Sequence, residues 1–255
     1  MAHVQLADVL TWYDETGDGD LEPIVLLHGG FVDSRMFDPA FPHLDSHFHV
    51  FTVDRRGHGR TPDVDGPLSY ELMAADMIAF LEKVVGKPTA LVGHSDGANV
   101  AMLIAILRPD LVSKLVLISG NFHHDGLVPG LLDGYAHEDA LRGLGSRYGQ
   151  VSPDGEAHFP LVVNKLLRLA AEGPTLTEGE LARISCRTLV VVGDDDAMTL
   201  EHTIALYRKV PHSELAIVPG TSHLLVMEKP DFVYPLISTF LSTDPIQTRQ
   251  PIRRA

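Results

Sequence analysis

Short apolar runs that are typical of β-strands alternate with helix-patterned segments along most of the chain. The strand-like runs are IVLLHGG (24–30), HVFTVD (49–54), TALVGH (89–94), KLVLISG (114–120), RTLVVVGD (187–194) and ELAIVPG (214–220). Helical patterns occupy 69–86, with Ser69 as its cap, 95–108, 200–209 and about 230–242. Because the strand-like runs are continuously apolar, they predict strands that are buried on both faces. The sequence therefore predicts an α/β fold, with a mostly parallel sheet covered by helices on both faces.

This alternation breaks between residues 121 and 186, where glycine and proline recur and only short helix-like pieces such as FPLVVNKLLRLAAE remain. A structureless loop of this length is uncommon inside a compact domain. We therefore expect residues 1–120 and 187–242 to form the α/β core and 121–186 to form a small helical cap. Residues 243–255 are expected to be a C-terminal tail. The alternative for 121–186 is a disordered loop.

Composition and charge exclude several classes of protein. The formal net charge of −14 would repel a phosphate backbone, so nucleic acid is not an expected partner. The longest apolar runs reach seven residues, as in AMLIAIL, far below the roughly 18 that span a bilayer. The single cysteine, Cys186, cannot form an internal disulfide, and no spacing typical of a metal site occurs.

The first twenty residues carry Asp8, Asp14 and Glu15 where a signal peptide would need a basic start and an apolar centre. This pattern predicts a cytoplasmic protein. The sequence leaves the oligomeric state open, a homo-oligomer included.

The segment LVGHSDGANVAMLIAIL places a polar serine at the junction of a predicted strand and a predicted helix. Gly93, Ser95 and Gly97 match the G-x-S-x-G pattern of a nucleophile elbow, in the strand and helix context that this motif needs. A serine on such a sharp turn sits in strained backbone, and glycines two residues away relieve the crowding. The alternative is that Ser95 only caps the helix, but a cap does not require both glycines.

A serine hydroxyl needs a positioned base, and the base needs a carboxylate to orient it. Among the fourteen histidines, His223 stands in a turn just beyond the last predicted strand, at the edge where sites of α/β sheets form. Asp194, Asp195 and Asp196 follow the preceding strand, so the residues alone leave three candidate acids. Three adjacent acids would repel one another if all were buried, so at least one should be solvated.

Backbone N–H groups must also stabilise the oxyanion that forms when a serine attacks a carbonyl. We expect one donor to be the N–H of Asp96, directly after the nucleophile at a helix N-terminus. The other is expected from Gly30, in the glycine-rich turn after the strand at 24–28.

The chain resembles the α/β-hydrolase family over about residues 5–242, through LLHGG, DRRGHGRT, GHSDGAN, GDDD and PGTSH in the family's order. The resemblance implies that family's eight-stranded type of sheet, with Ser95 as nucleophile and His223 as base. It also points to Asp196, because the family usually places its acid three residues after the strand-ending glycine. The turn DRRGHGRT is expected to be structural, stabilised by a charge pair of Asp54 and Arg55.

Asp96 is the less usual feature of the elbow, since an apolar residue or Gln is commoner there. The sequence SDG is similar to biphenyl-hydrolase-like and valacyclovir-hydrolase-like esterases. We therefore expect the Asp96 carboxylate to lie near the acyl pocket and to favour substrates with a cationic or hydrogen-bond-donating group. The alternative is an acid that only balances the helix dipole. Further substrate contacts are predicted from Phe31, Phe122, Leu127 and Tyr135.

These residues together predict a serine hydrolase for a small ester, lactone or related acyl substrate. The mechanism requires no cofactor and no metal, and the partner is a small molecule rather than a membrane. Two alternatives stay open. One is different chemistry on the same triad, namely peroxyacid formation of the haloperoxidase type or hydrolysis of a C–C bond. The other is a ligand-binding or signalling protein that turns over slowly, because function lives in the site and not in the fold.

Overall fold

One eight-stranded sheet forms the centre of the molecule in the computed structural model, which describes residues 1–136, 138–245 and 248–250, without the side chains of 134–140. The strands are β1 (Ala2–Leu6), β2 (Val9–Thr16), β3 (Pro23–Leu27), β4 (His49–Val53), β5 (Thr89–His94), β6 (Val112–Ile118), β7 (Arg187–Asp195) and β8 (Ser213–Ser222). Their spatial order is β1-β2-β4-β3-β5-β6-β7-β8. Strand β2 pairs antiparallel with β1 and β4, and the remaining neighbours are parallel. The predicted mostly parallel α/β fold is therefore confirmed.

The helices lie between and after these strands. They are α1 (Phe41–Leu44), α2 (Tyr70–Phe80), α3 (Asp96–Leu107), α4 (Glu138–Gly149), α5 (Phe159–Glu172), α6 (Glu178–Leu181), α7 (Leu200–Lys209), α8 (Leu225–Glu228) and α9 (Pro230–Ser242). The Ser69 side chain caps α2 by accepting from the Leu72 N–H. The helix predicted to reach 86 changes to a π-helical turn over 81–85 and stops at Gly86, whose φ of 70° is left-handed.

Both faces of the sheet are covered, which explains why its inner strands are apolar without alternation. In β3, Val25 and Leu27 belong to the core cluster under α2 and α3. Ile24 and Leu26 belong to the cluster on the opposite face, under α1 and α9. Successive side chains of a strand point to opposite faces, so a strand between two helical layers buries every residue.

Residues 121–186 form helices rather than strands within their described part. Helices α4, α5 and α6 lie here, with 3-10 turns at His124–Gly126, Leu131–Ala136 and Glu156–His158. One face of α5, including Val162 and Leu166, packs into the core cluster shared with α2 and α3. Isolated bridges join His123 to Thr175 and Leu127 to Met198. The division of the chain at 120 and 187 into core and cap stays a prediction.

The predicted tail, 243–255, lies partly outside the described residues, which stop at 245 and resume for 248–250. Across the part of the chain that the structure describes, none of the helices combines the length and apolar character that a bilayer-spanning segment needs.

Candidate active site

Ser95 occupies the sharp turn between β5 and α3. Its backbone is left-handed, with φ 52° and ψ −121°, a conformation that costs energy for any residue other than glycine. A Cβ at Gly93 would lie 2.3 Å from the carbonyl oxygen of Gly97, and a Cβ at Gly97 would lie 2.0 Å from that of Leu27. Only glycine fits at either position, so the turn explains both glycines of the motif.

Ser95, His223 and Asp196 form one chain of hydrogen bonds. The Ser95 hydroxyl lies 3.0 Å from Nε2 of His223, and Nδ1 of His223 lies 2.8 Å from Oδ1 of Asp196. The three residues come from the carboxyl ends of β5, β7 and β8, which meet at one edge of the sheet. With Nδ1–H donating to the carboxylate, Nε2 is free to accept the serine proton, which is the arrangement that activates a serine for nucleophilic attack.

The side chain of Asp196 is fully buried, whereas its neighbours Asp194 and Asp195 are exposed. Its second oxygen, Oδ2, accepts from the Ser119 hydroxyl at 2.6 Å and from the Gly193 N–H at 3.1 Å. Burial by itself raises the pKa of Asp196, but the hydrogen bonds from His223, Ser119 and Gly193 outweigh it and lower that pKa below its ordinary value. The carboxylate therefore stays ionised beside His223 at neutral pH.

His94 links the elbow to the loop that carries His223. Its Nε2 lies 2.7 Å from the backbone carbonyl oxygen of His223, so Nε2 is the protonated nitrogen. Burial lowers the pKa of His94 to about 3, which keeps the ring neutral. Sequence reasoning missed this residue, although its place inside the motif was a signal that could have found it.

The glycine-rich turn after β3 lies beside the elbow because β3 and β5 are neighbours, with Leu27 opposite Gly93. A Cβ on Gly29 would come within 3.3 Å of the Ser95 Cβ, and one on Gly30 within 2.5 Å of Oδ2 of Asp96. The N–H of Asp96 belongs to the first turn of α3, where backbone N–H groups have no acceptor within the helix. Gly30 and Asp96, the two predicted oxyanion donors, thus lie next to each other and line the same cavity as Ser95.

A cavity of about 280 Å³ opens onto this group. Its polar lining residues are Ser95, His223, Asp96, Tyr70, Asn121 and His94. Its walls are mainly apolar, with Leu127, Leu131, Leu132, Leu144, Leu166 and Met198 among them. Residues from 121–186 thus supply much of a wall that suits an apolar small molecule.

Three of the predicted substrate contacts, Phe31, Asp96 and Leu127, line the cavity. Phe122 does not line it, because its ring stacks on His202 with ring centres 4.0 Å apart. The side chain of Tyr135 lies outside the described part of the chain.

Tyr70 is a further polar residue of the cavity that sequence reasoning missed. Its hydroxyl donates to Oδ1 of Asp96 at 2.7 Å, and burial together with that carboxylate raises the pKa of Tyr70 well above its ordinary value. Tyr70 therefore remains a neutral donor. The capping pattern at Ser69 placed it at the start of a helix but gave no sign of its partner.

The predicted pair of Asp54 and Arg55 is wrong. Asp54 instead binds Arg60 at 3.0 Å and accepts from the N–H groups of Ser34 and Arg60, because the turn bends Arg60 back over the carboxylate. Arg56 pairs with Asp76 and Asp8. Arg55 points away from all three carboxylates and into the molecule, towards the glycine-rich turn.

His123, His124 and Asp125 form the one group of metal-ligand type found among the described residues, with ligand atoms within 4.8 Å of one another. Both imidazoles contact the Asp125 carboxylate, at 3.3 and 3.2 Å. None of the three lines the cavity.

Comparison with known proteins identifies the family. Residues 24–236 match the model of the alpha/beta hydrolase family, and the chain belongs to that family. It is 22% identical over 259 residues to the (E)-2-((N-methylformamido)methylene)succinate hydrolase of Acinetobacter baylyi, a match that covers 91% of this chain and 94% of that protein.

Two solved structures share the fold. The enol-lactonase from Burkholderia xenovorans superposes with a TM-score of 0.77 and 18% identity, covering 95% of this chain and all of the other. The meta-cleavage product hydrolase from Pseudomonas fluorescens gives a TM-score of 0.77 and 18% identity, covering 94% of this chain and 97% of that one. At these identities the likeness shows a shared fold, and the chemistry has to be inferred from the residues of the site.

Proposed function

We propose that this protein is a serine hydrolase that cleaves a small ester, lactone or related acyl substrate through an acyl-enzyme. The observation that carries the proposal is the hydrogen-bonded chain of Ser95, His223 and Asp196, of which Ser95 and His223 line a mainly apolar cavity. Membership of the alpha/beta hydrolase family supports hydrolysis as the class of reaction.

In the proposed first step, Ser95 Oγ forms a bond to the substrate carbonyl carbon while His223 Nε2 takes the hydroxyl proton. The carbonyl electron pair moves to its oxygen, which the N–H groups of Gly30 and Asp96 stabilise. The tetrahedral intermediate collapses, the bond to the leaving oxygen breaks, and His223 returns the proton to that oxygen. Asp196 keeps the His223 tautomer and stabilises the imidazolium during both transfers.

Water resolves the acyl-enzyme by the same steps. His223 Nε2 takes a proton from water, the water oxygen attacks the acyl carbon, and the bond to Ser95 Oγ breaks as the serine regains its proton. The carboxylic acid product then leaves the cavity. No step uses a group other than the side chains, backbone amides and water named here.

The lining of the cavity supports a small and mainly apolar substrate. Asp96 is the one carboxylate among the described lining residues, which contain no Lys or Arg. A substrate with a cationic or hydrogen-bond-donating group near its carbonyl would meet Asp96, whereas a highly anionic one would be repelled.

Covalent labelling by a fluorophosphonate tests the proposal. We expect wild type and Ser119→Ala to be labelled and Ser95→Ala not to be. Ser119 is the matched control because it is a second serine at the same sheet edge and bonds Asp196 rather than His223. Labelling that survives Ser95→Ala would overturn the assignment of the nucleophile.

Turnover of a panel of short esters and lactones then separates the alternatives. Steady hydrolysis supports the proposal. A burst of one equivalent followed by almost no turnover would instead favour a ligand-binding role. Hydrolysis confined to C–C bonds, or peroxyacid formation alone, would show that the same residues serve a different reaction.

A further inference from the structure

The buried guanidinium of Arg55 has an unusual set of acceptors. Arg55 is only 1% exposed, and its Nη2 donates to the backbone carbonyl oxygen of His28 and, at 3.2 Å, to that of Gly29. Nη1 lies 3.6 Å from the sulfur of Met73, and Nε has no partner. A buried arginine is ordinarily paired with a carboxylate, whereas this one holds two carbonyl groups of a turn.

His28 contacts the same carbonyl, with its Nδ1 lying 3.3 Å from Nη2 of Arg55. Its Nε2 accepts from the Arg55 backbone N–H at 3.0 Å, so the proton resides on Nδ1, which lies 2.7 Å from the Gly29 oxygen. Burial and the neighbouring Arg55 lower the pKa of His28 well below its ordinary value, so the ring is neutral and this tautomer persists. The carbonyl of Gly29 therefore receives two hydrogen bonds, one from a cation.

The Gly29 carbonyl and the Gly30 N–H belong to one peptide unit. In a trans peptide the C=O and N–H bonds point in opposite directions within a single plane. Fixing the carbonyl on the Arg55 side therefore fixes the N–H on the other side, where Gly30 lines the cavity beside Ser95 and Asp96. Hydrogen bonds to a carbonyl also polarise the peptide, which makes its N–H a better donor.

Arg55 also remains charged in its buried position. Burial lowers its pKa to about 10, while the charge of Asp96 favours the protonated form. At neutral pH the guanidinium therefore places a positive charge behind the Gly29–Gly30 peptide, where it favours an anion in front.

We infer that Arg55, with His28, is a positioning residue that aims and polarises the Gly30 N–H toward the oxyanion of the transition state. This inference rests on the proposed function, since it names what orients one donor of the proposed oxyanion hole. Arg55 touches neither the substrate nor Ser95 and acts through the Gly29–Gly30 peptide.

The sequence offers a direct spectroscopic test, because Gly29 and Gly30 form the only Gly–Gly pair in the chain. In protein labelled with carbonyl-¹³C and ¹⁵N glycine, an HNCO spectrum contains one cross-peak, which reports this peptide alone. We expect Arg55→Lys and Arg55→Met to move the Gly29 carbonyl and the Gly30 proton upfield, and Arg56→Lys to leave both in place. Arg56 is the matched control, since it is an equally buried neighbour that binds Asp76 instead.

The kinetic test uses the same variants and an ester that wild type hydrolyses. We expect Arg55→Met to lower kcat about 10- to 100-fold. This loss is smaller than the roughly 100- to 1000-fold that follows deletion of an oxyanion donor. The kcat of Arg55→Lys should lie between those of Arg55→Met and wild type. KM and the binding of an unreactive substrate analogue should change by no more than about twofold, since the carbonyl oxygen of the bound substrate does not yet carry the negative charge. Affinity for a trifluoromethyl ketone, whose adduct carries the oxyanion, should fall with kcat.

The outcomes are separable. If Arg55→Lys folds and neither its cross-peak nor its kcat changes, the inference is overturned. The inference is also overturned if Arg56→Lys loses as much kcat as the Arg55 variants. If Arg55→Met does not fold, the conservative Arg55→Lys decides the question. If wild type hydrolyses no acyl substrate and takes no fluorophosphonate, the proposed function fails, and the HNCO comparison still decides whether Arg55 holds the peptide.

Discussion

The hydroxyl of Tyr70 donates a hydrogen bond of 2.7 Å to the carboxylate of Asp96 within the lining of the cavity. This contact engages Oδ1, while Oδ2 lies against Gly30. The carboxylate is thus held in place in the lining of the cavity. A fixed charge one residue from the candidate nucleophile is suited to selecting among substrates.

Substitution of Asp96 by Asn tests that role. We expect Asp96→Asn to reduce kcat/KM for an amino-bearing ester roughly 10- to 100-fold, since a hydrogen bond to a charged group contributes about 1.5–3 kcal/mol. The matching plain ester should lose no more than about twofold. Asp194→Asn, at an exposed acid outside the cavity, is the control. If Asp96→Asn keeps the wild-type preference for the amino-bearing ester over the plain one, Asp96 does not select the substrate.

Loss of the Asp196 charge should affect catalysis far more than binding. We expect Asp196→Asn to lower kcat by about 10⁴-fold, as in serine proteases, because the amide favours the wrong His223 tautomer. The neighbouring Asp195→Asn, at an exposed acid, should retain kcat within about twofold. Steady-state kinetics on one ester measures both, and equal losses in the two variants would contradict the assignment of Asp196.

Buried neutral histidines should make the fold less stable in acid. The pKa is lowered by burial to about 4 for His58, about 3 for His94 and about 4 for His202. Between these values and the ordinary pKa of about 6.5, the unfolded chain binds protons that the folded protein does not, so stability falls as pH falls through this window. The two fully buried histidines, His58 and His94, each contribute a slope of up to about 1.4 kcal/mol per pH unit in this window, and the partly exposed His202 contributes less.

The free energy of unfolding, measured by urea titration between pH 7 and pH 5, checks this dependence. We expect His58→Asn to flatten the slope, since Asn can still donate to the Arg56 carbonyl that His58 contacts. His47→Asn, at an exposed histidine, should leave the slope as in wild type. A wild-type stability that rises on acidification would contradict the prediction.

Replacing Gly97 by Ala should distort the turn that carries Ser95. A Cβ there would lie 2.0 Å from the Leu27 oxygen, so α3 must move away from β3. We expect Gly97→Ala to lower the free energy of unfolding by several kcal/mol. We also expect it to abolish fluorophosphonate labelling at Ser95. The control is Gly143→Ala, in α4, where a Cβ meets nothing within 4 Å. That change should stabilise the protein by about 0.5–1 kcal/mol. Thermal or urea unfolding of the two variants distinguishes crowding from a general effect of alanine.

The pattern of the sequence predicted strands β3 to β8 to within a few residues at each end, because a strand covered on both faces must be apolar throughout. It missed β1 and β2, at the edge of the sheet, where the burial of successive residues alternates or is partial. Short segments that mix polar or charged residues with apolar ones do not stand out from loops.

Local sequence also determined the candidate nucleophile and base, since Ser95 lies in a motif whose glycines are dictated by steric contact and His223 follows a strand. The residues alone left three candidate acids, and the structure distinguishes them by burial, because the side chain of Asp196 is fully buried while Asp194 and Asp195 are exposed. Contacts between distant parts of the chain decided the rest: Arg55 reaches Gly29 rather than Asp54, and Phe122 stacks on His202. Sequence spacing determines which residues share a turn or one face of a strand or helix. Side chains from separate elements meet only after the sheet and its covering helices have packed.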